Sequence, residues 1–224
     1  MTPDKQTKIE QAVRDIKAQF GERAVQRLSE YQPPPLYPTG IELLDALLGG
    51  GLVPGGITVI EGNQTCGRGT LALRLLANSP EISVWIDMSG TFDAESAVQV
   101  GVDLSRVVIV EPTMPAGIAE LVGALVQIPI PMIIFDESVY AVPSDFPAWV
   151  IALIAQSPSV LLALPPMRQT IRRAGARITV ELEAWLYRPR THEVIGYRSR
   201  VRVIAQRGIP SGASTVMDIL LEDP

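Results

Sequence analysis

The sequence contains one cysteine, one histidine and no long apolar run, and each shortage excludes a class of protein. Cys66 has no second cysteine to pair with, so an internal disulfide is excluded and a reducing, cytoplasmic compartment is expected. One histidine and one cysteine are too few for a structural metal site, so no metal is predicted. The apolar runs are strand-sized, whereas a membrane-spanning helix needs about 20 residues, so no membrane role is expected.

The N-terminal part of the chain reads as a small appendage to one large domain. Its first ten residues are polar and charged, unlike a signal peptide. Apolar residues spaced by three and four predict a helix over residues 8–20, and residues 24–28 predict a short strand. The prolines at 33–35 favour a stiff linker. We therefore expect an appendage at residues 1–33 and a core domain at residues 34–224.

Positive charge is concentrated near the end of the chain, although the net charge is −5. Residues 168–207 contain ten arginines and three glutamates. Charge segregated in this way can hold a polyanion on one face of an acidic protein. The alternative is that the arginines occupy exposed strand positions without a ligand, and the charge pattern leaves both interpretations open.

Short apolar segments alternate with helix-type segments through the core. Strands are predicted at residues 57–61, 83–87, 107–110, 131–136 and 160–164, with helices at 40–48, 70–77, 93–100, 115–126 and 146–155. This alternation predicts an α/β fold with a mainly parallel central sheet and helices on both faces. Residues 178–187, 193–206 and 215–221 lack intervening helices and predict antiparallel strands that extend the sheet. Trp85, Phe146 and Trp149 are expected in the core.

A glycine-bearing loop follows the first core strand. Residues 62–70 read Gly-Asn-Gln-Thr-Cys-Gly-Arg-Gly-Thr, close to the phosphate-binding pattern G-x-x-x-x-G-K-[ST]. Gly62 and Gly67 stand at the required spacing. Arg68 replaces the lysine, Gly69 replaces the residue whose hydroxyl holds Mg²⁺, and Thr70 comes one position late. The alternative is an ordinary glycine turn between a strand and a helix.

An acidic residue at the end of a later strand supplies the second half of such a site. Asp136 follows four apolar residues, the form of a Walker B carboxylate that orders magnesium. The two signals come in the right order in a βαβ chain. The candidate nucleotide-binding residues are Gly62, Gly67, Arg68, Gly69, Thr70 and Asp136.

Several further blocks give the chain a resemblance to the bacterial RecA recombinase family. Matching stretches occur, in order, at residues 16–30, 37–45 and 49–61, then at 85–87, 93 and 101–103, and finally at 193–203. The resemblance implies a RecA-like P-loop core, ATP bound with Mg²⁺, and an N-terminal polymerisation-type strand that contains Val25 and Arg27. No stretch matches the C-terminal domain of the family, which is expected to be absent.

The departures from the family pattern fall on the residues of ATP turnover. By matching, Ser89 replaces the glutamate that activates water, and Ser96 replaces a tyrosine that stacks on adenine. Pro165 and Pro166 replace an Asn-Gln pair that senses the γ-phosphate, and Ala205 replaces a lysine. Loss of a general base alone costs about 10²–10⁴ in rate. We therefore expect negligible ATPase activity and no catalytic residue, while weak binding of ATP with Mg²⁺ stays open.

The resemblance also assigns DNA contact to the arginine-bearing segment. The second DNA-binding loop of the family matches residues 166–176, which contain Arg168, Arg172 and Arg173. These three residues and the adjacent Arg177 are candidate phosphate ligands. The alternative is a solvated edge loop.

A core without the C-terminal domain is similar to ImuA-type accessory proteins of translesion synthesis. Such proteins are expected to be cytoplasmic and nucleoid-associated, and to bind a RecA filament, single-stranded DNA or a DinB-type polymerase in the SOS response to DNA damage. Two alternatives stay open. One is a weak DNA-dependent ATPase or recombinase, and the other is a regulatory protein-interaction module without DNA binding.

Overall fold

The computed structural model of the chain describes residues 3–20, 35–63, 65–88, 90–112, 117–136, 146–165, 174–206 and 208–221. The chain divides into two compact units, Met1–Pro34 and Pro35–Pro224. In the first unit, helix α1 spans Pro3–Phe20, and its Ile9 and Ile16 are exposed. Val25, Arg27 and the strand predicted at 24–28 lie outside the described residues, so the polymerisation-type strand stays a prediction.

The second unit alternates helices and strands in the order that the apolar pattern predicts. Its first part contains α2 (Glu42–Leu47), β1 (Gly56–Gly62), α3 (Arg68–Ala77), β2 (Ser83–Asp87), α4 (Ala94–Gln99), β3 (Val107–Val110), α5 (Ile118–Leu125), β4 (Met132–Asp136), α6 (Ala148–Gln156) and β5 (Val160–Leu164). Three strands follow, with no helix between them in the described part of the chain. They are the long strands β6 (Ala176–Tyr187) and β7 (Val194–Gln206) and the edge strand β8 (Ser214–Leu220).

The strands form one eight-stranded sheet in the order β3-β2-β4-β5-β1-β6-β7-β8. Neighbouring strands from β3 through to β6 are parallel, whereas β6, β7 and β8 pair antiparallel. The predicted α/β fold with a C-terminal antiparallel extension is confirmed. Since parallel strands end at one edge of a sheet, the residues that follow β1, β2, β4 and β5 come together there.

Helices cover both faces of the parallel part of the sheet. Leu71 and Leu75 of α3 pack on one face, and Val122 of α5 and Val150 of α6 pack on the other. Strands β2 and β5 are buried at every position. Burial on both faces explains why these strands read as continuous apolar runs and not as alternating ones.

Two of the three aromatic core predictions are confirmed and one is wrong. Trp85 and Phe146 are buried, with 3% and 7% of their surface exposed. Trp149 is 47% exposed. A Cβ on Gly123 of α5 would lie 2.5 Å from the Trp149 ring, so this side chain covers the neighbouring helix from outside. None of the described helices combines the length and the apolar character needed to cross a bilayer.

Candidate functional site

The glycine loop, residues 62–67, joins the end of β1 to the start of α3 at the carboxyl edge of the sheet. A Cβ on Gly62 would lie 2.4 Å from the Cys66 sulfur and 2.5 Å from the Val180 carbonyl oxygen, so only glycine fits. Gly67 has φ +88°, in the left-handed region that glycine adopts without strain. The spacing of the two glycines therefore has a structural cause.

Helix α3 begins at Arg68, two residues earlier than predicted, because Gly67 turns the chain directly into the helix as its N-cap. Gly67 offers no side chain to cap the first amides, and the first intrahelical bond runs from Leu71 N–H to the Gly67 carbonyl. The positive end of the helix dipole thus points at the glycine loop. A helix start of this kind can bind a phosphate group through its backbone amides.

The Arg68 side chain reaches from α3 across the sheet edge. Its guanidinium donates a hydrogen bond to the Pro165 carbonyl, which directly follows β5. Burial raises the pKa of the Asp136 carboxyl at the end of β4, and the positive charge of Arg68 opposes that rise. Arg68 is therefore held beside the glycine loop, with the ends of two neighbouring strands as its partners.

Gly69 occupies the position at which the phosphate-binding pattern has a hydroxyl. A Cβ on Gly69 would meet nothing within 4 Å, so the helix surface is open there. Thr70 follows on α3, but one residue turns a side chain by roughly 100° around the helix axis. The hydroxyl that is missing at Gly69 is therefore not replaced by the side chain of another described residue at that point of the helix surface.

Two carboxylates lie side by side at the ends of β2 and β4, where Asp87 and Asp136 are register partners. The Thr91 hydroxyl donates to Asp136 over 3.1 Å. Asp87 accepts from the Thr91 and Phe92 amides over 3.1 and 2.7 Å. Burial raises the pKa of Asp136, and the charge of Asp87 raises it further, while the Thr91 bond and Arg68 oppose the rise.

These residues do not fit the Mg²⁺ that the resemblance implies. Magnesium needs oxygen ligands in near-octahedral geometry, and the phosphate loop supplies one of them from a hydroxyl. Gly69 has no hydroxyl, and the charge of Arg68 already acts on Asp136. Among the described residues, no group of three or more potential ligands is placed to hold a metal ion.

The structure describes some, but not all, of the other residues that match the ATP-hydrolysing residues of the family. Ser89 and Pro166 lie outside the described residues. The Ser96 hydroxyl donates to Asp93 over 2.6 Å, at the N-cap of α4. Ala205 lies on β7, opposite Arg177 of β6. Ser96 thus has a capping contact of its own.

The glycine loop contacts β7 and β8, and these contacts were not predicted from the sequence. The buried Ser199 hydroxyl of β7 donates to the Cys66 carbonyl over 3.0 Å. A Cβ on Gly67 would touch Tyr197 and Ile219 at 3.4 Å. No local signal marks these contacts, because β7 and β8 lie far from the loop in sequence and approach it only through the sheet.

The arginine-rich segment is largely matched by carboxylates where it is described. Arg168, Arg172 and Arg173 lie outside the described residues. Arg177, the fourth candidate DNA ligand, forms an ion pair with Glu61 of β1. On β7 and its neighbours the pairs are Arg198 with Asp218, Arg200 with Glu183, and Arg202 with Glu181. Glu61 and Asp218 fall outside the segment whose charge was counted, so the sequence overstated its free positive charge.

Comparison with known proteins identifies a family. A family model described as the RecA N-terminal domain matches residues 7–152. The RecA protein of Clavibacter michiganensis is 33% identical over 147 residues, which cover 62% of this chain and 41% of that protein. The RecA protein of Mycobacteroides abscessus is 33% identical over 148 residues, covering 63% of this chain and 43% of that protein. The matches thus span about two fifths of the length of these relatives.

A solved structure extends the likeness over most of the fold. The crystal structure of the RadB recombinase matches with a TM-score of 0.61 and 17% identity, and covers 82% of this chain and 96% of that chain. At this identity the likeness concerns the fold alone. The family model covers more than half of the chain, including the glycine loop and Asp136. The chain therefore belongs to the RecA family.

Proposed function

We propose that this RecA-family chain is an ImuA-type accessory of DNA repair that acts by binding and does not turn over ATP. Its partners are a RecA filament, single-stranded DNA or a DinB-type polymerase during translesion synthesis in the SOS response. The proposal places the protein in the cytoplasm, near the nucleoid. Residues Gly62, Gly67, Arg68, Gly69, Thr70 and Asp136 then form a degenerate nucleotide site that has lost its catalytic use.

The surroundings of Arg68 carry this proposal. Arg68 stands where the phosphate-binding pattern has a lysine, and it donates a hydrogen bond to the Pro165 carbonyl. The next residue, Gly69, has no hydroxyl. A guanidinium is not interchangeable with an ammonium group, since it is larger, planar and directional. A site altered at these neighbouring positions, in a chain with serine at position 89, supports a role in binding over one in hydrolysis.

Contact with DNA or a partner is assigned to two regions of the chain. Arg168, Arg172 and Arg173 are the proposed phosphate ligands, because phosphate contacts need charge without base reading. Val25 and Arg27 are the proposed contacts to a neighbouring RecA-type subunit, by addition of a strand to a sheet edge.

A regulatory module that binds protein and not DNA is the second candidate. Most of the described arginines of the basic segment lie against carboxylates, as in the Arg177–Glu61 and Arg198–Asp218 pairs. A phosphate would have to compete with those carboxylates for the guanidinium groups. The ion pairs therefore favour a module that binds protein, because most of the described arginines are already neutralised by carboxylates.

Phosphate release by the purified chain tests the loss of turnover. We expect release at background, with and without single-stranded DNA, and no change in Asp136→Asn. Release above background that single-stranded DNA stimulates and that Asp136→Asn abolishes would contradict the proposal and favour a weak ATPase.

Fluorescence anisotropy with labelled single-stranded DNA, with and without RecA, separates the two candidates. We expect binding that weakens with salt, since the slope for single strands is about 0.7 per phosphate contact. A variant with alanine at positions 168, 172 and 173 should lose both affinity and slope. Arg188→Ala is the matched control, because Arg188 pairs with Glu193 in the turn that joins β6 to β7. Binding to RecA that ignores salt, with none to DNA, favours the protein-interaction module.

A further inference from the structure

We infer that the glycine loop binds a polyphosphate group as a metal-free anion, with the Arg68 guanidinium as the fixed cation. The ligand class is a pyrophosphate unit, either free or as part of a nucleoside diphosphate. The inference rests on the proposed phosphate-binding role of this loop and goes beyond it, because it reverses the metal dependence that the family pattern implies.

The loop lacks an oxygen with which to hold a metal. Gly69 has no hydroxyl, and the space around it is open to 4 Å. Mg²⁺ dehydrates reluctantly and is held in phosphate sites by one or two protein oxygens together with the phosphates. Without the loop oxygen, the metal would depend on the carboxylates alone.

Those carboxylates already have hydrogen-bond donors. One oxygen of Asp136 accepts from the Thr91 hydroxyl over 3.1 Å. Both oxygens of Asp87 accept from the backbone, one from the Thr91 amide and one from the Phe92 amide. A metal would therefore have to share these oxygens with donors that the protein itself supplies.

The positive charge that a metal would bring is already present. The hydrogen bond to the Pro165 carbonyl holds the Arg68 guanidinium at the carboxyl edge of the sheet, where Asp136 also lies. This fixed charge can neutralise part of the charge of a bound polyphosphate, which reduces what a divalent cation would contribute. A guanidinium has five N–H donors in a fixed fork, so the bond to Pro165 leaves others for phosphate oxygens.

The backbone supplies the rest of the anion site. The first amides of α3 have no side-chain cap, and the left-handed Gly67 turns them toward the loop. Together with Arg68 they offer positive partial charge and one full charge without any metal. In solution Mg²⁺ binds pyrophosphate and nucleoside diphosphates and reduces their charge, so it is expected to weaken binding here.

Isothermal titration calorimetry with pyrophosphate and with ADP tests the inference, each in EDTA and in excess MgCl₂. We expect affinity in EDTA to equal or exceed that in MgCl₂ for both probes. Tighter binding of ADP than of pyrophosphate identifies a nucleotide as the preferred source, and equal binding identifies the pyrophosphate unit alone. Binding that Mg²⁺ tightens tenfold or more overturns the inference. So does a lack of binding in both buffers, which leaves the accessory role to the DNA and RecA titrations.

Variants at two positions test the assigned groups. Arg68→Ala should weaken binding in EDTA by tenfold or more, with folding checked by its melting temperature. The double variant Arg68→Lys with Gly69→Thr restores both metal-site groups, and should bind at least tenfold more tightly with Mg²⁺ than in EDTA. Arg68→Lys with Gly69→Val has the same shape without the hydroxyl. An equal response to Mg²⁺ in the two double variants would contradict the role given to the missing hydroxyl.

Discussion

Gly62→Ala should destabilise the protein although it adds only one methyl group. The new Cβ would lie 2.4 Å from the Cys66 sulfur and 2.5 Å from the Val180 carbonyl oxygen. The sulfur belongs to a side chain that can rotate, but the carbonyl belongs to β6, which pairs with β1 at this position. Relief of the clash therefore requires a shift between two strands, and not a change of rotamer.

Overpacking of this kind typically costs about 1–3 kcal/mol. For a domain of this size each kcal/mol lowers the melting temperature by about 2–4 °C, so we expect a fall of roughly 2–12 °C. Thermal and urea unfolding followed by circular dichroism measure both quantities. The m-value should stay unchanged, because the same surface is exposed on unfolding.

Gly69→Ala is the matched control within the same nine-residue stretch. Its Cβ meets nothing within 4 Å, and the residue lies in the first turn of α3. Alanine is favoured over glycine in a helix by up to about 1 kcal/mol, so the melting temperature should hold or rise. Equal melting temperatures for Gly62→Ala and the unchanged protein would refute the packing described for the loop.

Three further predictions concern single groups. Burial raises the pKa of the Cys66 thiol, so it should react with Ellman's reagent far more slowly in the native protein than in urea, and equal rates would contradict its burial. Burial and the charge of Asp87 raise the pKa of Asp136, so the ionised carboxylate costs stability above that pKa. Asp136→Asn should therefore raise the free energy of unfolding at pH 7.5, by an amount that vanishes as the pH falls and Asp136 takes up its proton; a gain that persists at low pH would contradict this. Glu61→Gln removes the carboxylate that contacts Arg177, so it should strengthen salt-dependent binding of single-stranded DNA if Arg177 is a phosphate ligand, and an unchanged affinity would argue against that role.

The fold was predictable because burial on two faces leaves a simple mark in sequence. Strands β2, β3 and β5 begin and end at the predicted residues, because each is a short apolar run. Strands β2 and β5 are buried throughout, whereas β3 lies at the edge of the sheet. Trp149 was predicted to be in the core but is exposed, and the apolar pattern of its helix explains the error. A helix on one face of the sheet has an outer side, and an apolar residue there looks like a core residue until the neighbouring helix is placed.

The candidate site was predictable in its glycines but not in its electrostatics. The spacing of Gly62 and Gly67 marks the loop, and the run of apolar residues before Asp136 marks the strand end beside it. The partners of Arg68 and Arg177 are 97 and 116 residues away in the chain. A count of charge along residues 168–207 could not include Glu61 or Asp218, which reach the arginines from other strands.

From its residues alone, the chain determined a parallel sheet with helices on both faces and a glycine loop at the end of its first core strand. Local spacing and continuous apolar runs suffice for that, because they follow the geometry of single strands and turns. Only the tertiary structure decided which groups face one another at the sheet edge: Arg68 with Pro165 and Asp136, Thr91 with Asp136, and Ser199 beneath the loop. The order of strands in the sheet brings these residues together, and no pattern along the chain records that order.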